Sequence, residues 1–75
     1  MIKTQINEYD SSTVESSTYN LIGKTLCVEF KHATYEYLNV EHDDYLLFST
    51  ADSQGIALNA FIKGKYEYLK LENHD

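Results

Sequence analysis

From Leu26 to Lys31 apolar and polar residues alternate: Leu26, Val28 and Phe30 are separated by Cys27 and Glu29 and followed by Lys31. A period of two is what a strand with one buried face requires. Lys31 to Thr34 then turn the chain, and Tyr35 and Tyr37 fall on one face of a second strand with Glu36 on the other. Thr25 to Tyr37 therefore predicts a β-hairpin whose second strand runs out near Val40. A lone hairpin is marginal in water, so more strands or a helix must cover its apolar face. Upstream, Val14 to Leu21 is rich in β-branched and hydroxyl side chains and predicts a preceding strand, although its alternation is blurred. Ile22-Gly23-Lys24 supplies the turn between the two, with Gly23 free to take a positive φ. Residues 1–10 have only Ile2 and Ile6 as aliphatic anchors and read as a tail or a loosely attached strand. Ser11, Ser12 and Thr13 read as loop or strand entry.

After Val40 the period lengthens. Val40, Asp44, Leu47, Phe48 and Ala51 share one helical face, and Glu41, Asp43 and Asp44 stand where a helix N-terminus favours acids. Asn39 is the candidate cap. Asp52 to Gly55 breaks this helix, and Ser53 is placed to cap a second, short one that carries Leu58, Phe61 and Ile62 on one face until Gly64 stops it. Lys65 to Glu72 alternates again and predicts a final strand. The expected fold is α+β: a small antiparallel β-meander of about three strands covered on one face by two short helices, with a C-terminal strand. Residues 11–72 form the domain, with Leu47, Phe48, Leu58 and Phe61 closing over Leu26, Val28 and Phe30. The segments YEYLNVE from Tyr35 and YEYLKLE from Tyr66 look alike, but their surroundings do not match, and similar strand solutions to similar packing explain them.

Composition narrows the function classes. A chain of 75 residues buries only about 60–65% of its unfolded surface, so its stability margin is thin. Cys27 is the sole cysteine, which excludes an internal disulfide and fits a reducing, cytoplasmic compartment. The net charge is −6, with twelve acids against six lysines and no arginine. That balance disfavours duplex or long single-stranded nucleic acid, which is held by many cationic contacts to phosphate. Lys63, Lys65 and Lys70 still gather late in the chain. No apolar run has signal or membrane length, so no membrane partner is expected.

Taken together these positions resemble the KTSC domain, a small domain found at the C-terminus of some lysyl-tRNA synthetases and also on its own. Ser11, Ser12 and Val14 fit the start of the family pattern, and Tyr19-Asn20 its Tyr-Asp. Leu26, Val28 and Phe30 fit the strand, Tyr35 and Tyr37 the Tyr-x-Tyr pair, and Val40 the helix entrance. Ala51, Ser53 and Gly55 fit the Ala-x-Ser-x-Gly loop, and Asn59, Ile62 and Tyr66 complete the pattern. Asn20 replaces the family's acid, Glu41 stands where proline is usual, and Lys31 to Thr34 lacks the hairpin glycine. The resemblance implies a compact domain and, through the attachment to a tRNA synthetase, RNA as a candidate partner.

Candidate chemistry follows from the same residues. Tyr35 and Tyr37 stack bases or clamp a planar ligand if exposed, and are core if buried. Tyr66 and Tyr68 pose the same alternative, weighted toward the surface because lysines flank them. Ser53, Gly55 and Asn59 offer a helix start suited to a phosphate or carboxylate; the plainer alternative is a cap, a close approach and a backbone bond. Lys63 and Lys65 add positive charge. The expected ligand-binding residues are thus Tyr35, Tyr37, Ser53, Gly55, Asn59, Lys63, Lys65 and Tyr66. No catalytic residue, metal site or cofactor is expected: Ser11 and Ser12 have no histidine base at a motif spacing, and His32, His42 and His74 share no ligand spacing. Two functions compete. One is a non-catalytic binding module for RNA or a small phosphorylated, nucleotide-like ligand. The other is a protein-interaction or homo-oligomerisation domain that uses exposed tyrosines.

Overall fold

A computed structural model describes residues 4–10 and 13–71; the expectations for Ser11 and Ser12 and for both chain ends lie outside the described residues. The strands are β1 (Thr4–Glu8), β2 (Val14–Asn20), β3 (Thr25–Phe30), β4 (Thr34–Tyr37) and β5 (Tyr68–Leu71), with helices α1 (His42–Ser49) and α2 (Gln54–Ala57) between β4 and β5. They form one five-stranded sheet in the order β1-β2-β3-β4-β5, antiparallel throughout. β1 pairs along its length, from Thr4 opposite Asn20 to Glu8 opposite Ser16, which makes the sheet larger than the meander anticipated. The expected α+β architecture holds: an antiparallel meander packed against two short helices and closed by a C-terminal strand.

The blurred alternation of β2 has a physical cause. The β2–β3 register shifts between Val14 and Ser16, so Glu15 is an extra residue that resets the pleat. Val14, Ser17 and Tyr19 can then all be buried although their spacing is not a multiple of two. Such a bulge re-aims side chains at the cost of one unpaired residue. On the same inward face lie Leu26 and Val28 of β3 and, directly across the ladder, Tyr37 and Tyr35 of β4. Among the described residues the outward face is free of helices, and it bears Ile6, Thr18, Cys27, Glu36 and Leu69 in one row across the five strands.

α1 is rotated relative to the expected stripe. Tyr45 and Phe48 are its buried residues, whereas Leu47 is 49% exposed, so Leu47 does not close the core as anticipated. Tyr45 takes that place because its ring and its hydroxyl are both accommodated. The ring stacks on Tyr19 at 4.4 Å and 9°, and the hydroxyl accepts a bond from Asn7 Nδ2. A buried tyrosine with a satisfied hydroxyl contributes more contact area than leucine. Leu26, Val28, Phe48 and Leu58 are buried as anticipated, while Phe30 and Phe61 pack half-buried at the edge of the core. Tyr19 in turn donates to the Val40 carbonyl at 2.7 Å, fixing the entry into α1.

Three local expectations are corrected. Asn39 is not the helix cap: it sits at φ 56°, a left-handed conformation asparagine tolerates better than most residues, and Glu41 holds the N-cap position without a side-chain bond. In the β2–β3 turn the positive φ, 57°, falls on Lys24 instead of Gly23. There the Asn20 side chain orders the turn, its Oδ1 accepting from the amides of Ile22 (3.0 Å) and Gly23 (2.9 Å). Finally, the second helix changes pitch. After α2 the chain makes a π turn over Leu58–Ile62, closed by the Lys63 amide donating to the Leu58 carbonyl at 2.7 Å. The wider turn keeps both Leu58 and Ile62 buried. Gly64, at φ 84°, then reverses the chain as expected.

Candidate functional site

The β3–β4 hairpin, the start of β2 and the residue after the π turn enclose an open pocket of about 430 Å³ lined by Thr13, Phe30, Lys31, His32, Ala33, Tyr35 and Lys63. Phe30 and Tyr35 are brought together by the strand pairing, with the Phe30 amide bonded to the Ala33 carbonyl at 2.8 Å. Their rings meet edge to face at 5.5 Å. On its other side Tyr35 is met edge-on by Tyr68 at 5.3 Å, so one tyrosine is held between two rings. Its pocket-facing surface is therefore fixed in orientation. Lys31 enters from the hairpin turn and Lys63 from the opposite wall. Lys70 stands directly opposite Tyr35 in the β4–β5 register, on the same face of the sheet. Among the described residues no carboxylate lines the pocket.

The lysines divide into two groups. Lys24 pairs with Glu41 at 3.6 Å and Lys65 with Asp44 at 2.7 Å. Among the described residues Lys31, Lys63 and Lys70 have no carboxylate partner within ion-pair distance, and these are the three that surround Tyr35. A second concavity of about 450 Å³, between β1 and α1, is lined by Thr4, Gln5, Ile6, Asn7, Tyr45, Leu46, Ser49 and Thr50. Among the described residues none that lines it is charged.

The expected site residues separate accordingly. Tyr35 and Lys63 share the pocket. Tyr37 is 1% exposed and belongs to the core; burial pushes its hydroxyl pKa up. Ser53 caps α2, its side chain accepting from the Ile56 amide at 3.4 Å. Gly55 lies behind the pocket wall, where an added Cβ would stand 3.5 Å from Thr13 Oγ1. Asn59 is exposed on the π turn.

Lys65 and Tyr66 form a latch with Asp44 of α1. The Lys65 ammonium donates to Asp44 Oδ2, the Tyr66 hydroxyl donates to the same oxygen, and the Glu41 amide donates to the Tyr66 hydroxyl at 3.2 Å. Lys65 and then Tyr66 hold the Asp44 carboxyl below its usual pKa, while burial first and the Asp44 bond second raise that of Tyr66. These two residues tie the segment after the π turn to the helix, away from the pocket. Phe30, Lys31, His32, Ala33 and Thr13 are site residues the sequence reading assigned to strand, turn and strand entry. The signal present was a basic Lys31-His32 pair between two aromatics in an acidic chain.

Cys27 faces the helix-free side of the sheet. Its thiol pKa is raised, by burial first and then by Glu36 and Glu29, which keeps the sulfur protonated and poorly nucleophilic. Among the described residues no group of three or more His, Cys, Asp or Glu could hold a metal ion, and no helix is long and apolar enough to cross a membrane.

Comparison with curated proteins finds no match. Among solved structures the chain is similar to a KTSC domain protein from Yersinia pestis. The crystal structure of that protein superposes with a TM-score of 0.85 at 30% sequence identity, covering 92% of this chain and 99% of that one. The KTSC domain family model matches residues 10–66, the stretch from just after β1 through the hairpin, both helices and Tyr66. On the sequence match and the shared fold together, the chain belongs to the KTSC domain family.

Proposed function

We propose that this KTSC domain is a non-catalytic binding module that takes a nucleotide-like ligand in the Tyr35 pocket, a planar base carrying phosphate. The ligand is either free or part of a short single-stranded RNA. The observation that carries this reading is the gathering of Lys31, Lys63 and Lys70 around Tyr35 in a chain of net charge −6 whose other described lysines are paired. Unpaired cations beside a fixed aromatic surface suit one base and its phosphate. The acidic remainder repels a long polyanion, so the contact is restricted to a short segment.

The test is calorimetry with a panel of mononucleotides and with a short single-stranded RNA at low salt. Tyr35→Ala is expected to weaken binding by roughly 1–3 kcal/mol, the worth of one base-aromatic stack. Lys63→Ala is expected to weaken it more at low salt than at high salt. Binding of the RNA without any mononucleotide assigns the site to a chain segment, and the reverse assigns it to a free nucleotide. Absence of heat with every probe overturns the reading.

A further inference from the structure

β5 is the last strand of the sheet, and its four side chains are all exposed, Tyr68 by 56% and Leu69 by 53%. Among the described residues no helix overhangs it and no strand pairs with its outer edge. In an antiparallel ladder, residues that exchange hydrogen bonds with one neighbour alternate with residues whose N–H and C=O point to the other side. The Leu38 amide donates to the Glu67 carbonyl at 2.8 Å, which makes Leu38 and Glu67 a bonded pair. In the same register Glu36 faces Leu69 and Thr34 faces Leu71, so Leu69 and Leu71 direct their backbone groups to β4. The Phe30–Ala33 bond on the other side of β4 fixes the same parity independently. Tyr68 and Lys70 therefore direct their amides and carbonyls to the open edge.

We infer that this edge pairs with β5 of a second copy, antiparallel about a two-fold axis through Leu69. Only a few registers bring one β5 against another with matching faces, and their contents differ. Centring on Lys70 sets two ammonium groups against each other. Centring on Tyr68 leaves most of each strand beyond the contact. Centring on Leu69 places Tyr68 opposite the partner's Lys70 and Lys70 opposite the partner's Tyr68. The outward-facing amides and carbonyls of all four residues then become mutual bonded pairs.

Leu69 meets the partner's Leu69 at the axis as a non-bonded pair, the kind in which side chains approach most closely. Each Lys70 ammonium lies beside an aromatic ring across the join, an attractive pairing. The opposite edge, β1, offers itself no such complement: a two-fold axis through Ile6 sets Glu8 against the partner's Thr4, and the strand has neither a cation nor an aromatic ring to pair across the join.

The experiment is native mass spectrometry and sedimentation equilibrium of the full chain over a concentration series, without ligand. A dimer is expected. Lys70→Pro removes an amide that faces the open edge and leaves the β4 bonds in place, because proline is accepted on an edge strand where its missing N–H would face solvent. It is expected to halve the mass with an unchanged circular dichroism spectrum. Leu69→Lys places two ammonium groups at the axis, while Glu36 across the ladder accommodates the lysine within each copy; it too is expected to give monomer. A wild-type monomer at every concentration overturns the inference. So does a dimer that survives both substitutions, or an open series of larger species, which would indicate β1 joined to β5. Nucleotide titrations do not enter this test, so its failure leaves the pocket reading standing, and the reverse.

Discussion

Asp44 is the residue at which two elements are fastened together. Its carboxylate accepts from both Lys65 and Tyr66, with its side chain 13% exposed, and its pKa is lowered from 3.8. A folded-state pKa below the unfolded one contributes stability that is present above the unfolded value and lost as pH falls through the folded value. The contribution of Asp44 is therefore whole at neutral pH and declines from about pH 4 downward. Lys65 has the opposite sign: its pKa is raised from 10.5, so its share is whole below that value and lost only in strong alkali. Because the Lys65 ammonium is well exposed, the ion pair adds little, and most of the effect belongs to the Tyr66 bond to a charged acceptor. Asp44→Asn is expected to lower stability by about 1–2 kcal/mol at neutral pH, with the deficit shrinking in acid. Urea unfolding at neutral pH and near pH 3 checks it; an equal deficit at both would refute the assignment.

At the scale of elements, the β-hairpin was legible because Leu26, Val28 and Phe30 alternate without interruption. α1 was not correctly oriented because counting apolar residues favours Leu47 over Tyr45. What decides between them is the ring of Tyr19 and the amide of Asn7, contributed by other strands and invisible to local periodicity. The π turn was equally hidden, since Leu58, Phe61 and Ile62 fit an α stripe as well. Ser53 and Gly64 were read correctly because capping and chain reversal are local. Gly55 is a different case. The family pattern holds a glycine there, yet its φ is not positive, and a methyl group would meet Thr13 only at ordinary contact distance. Gly55→Ala is therefore expected to stabilise the protein by about 0.4–1 kcal/mol through reduced unfolded-state entropy, seen as a higher melting temperature. A loss of stability would mean that the wall between α2 and Thr13 cannot yield.

Across the whole molecule, charge is segregated in a way no linear count conveys. The sequence has Lys63, Lys65 and Lys70 close together and Lys31 far from them. Folding separates Lys65 into the Asp44 latch and brings Lys31 to the others by returning β5 alongside β4. This is why the candidate site was only partly legible: Tyr35 and Lys63 could be named, but the partition of lysines depends on which strands become neighbours. Helices confined to one side of the sheet have a further consequence. Cys27, Glu36 and Leu69 lie in one straight row on the bare side, and Leu69 is where the proposed two-fold axis passes. Extending that row through the axis puts five strand spacings between the two copies of Cys27, a backbone separation of about 24 Å. A spin label on this sole thiol, attached at mildly alkaline pH to overcome its raised pKa, turns that separation into a dipolar frequency. The single cysteine thereby serves as a built-in ruler across the join.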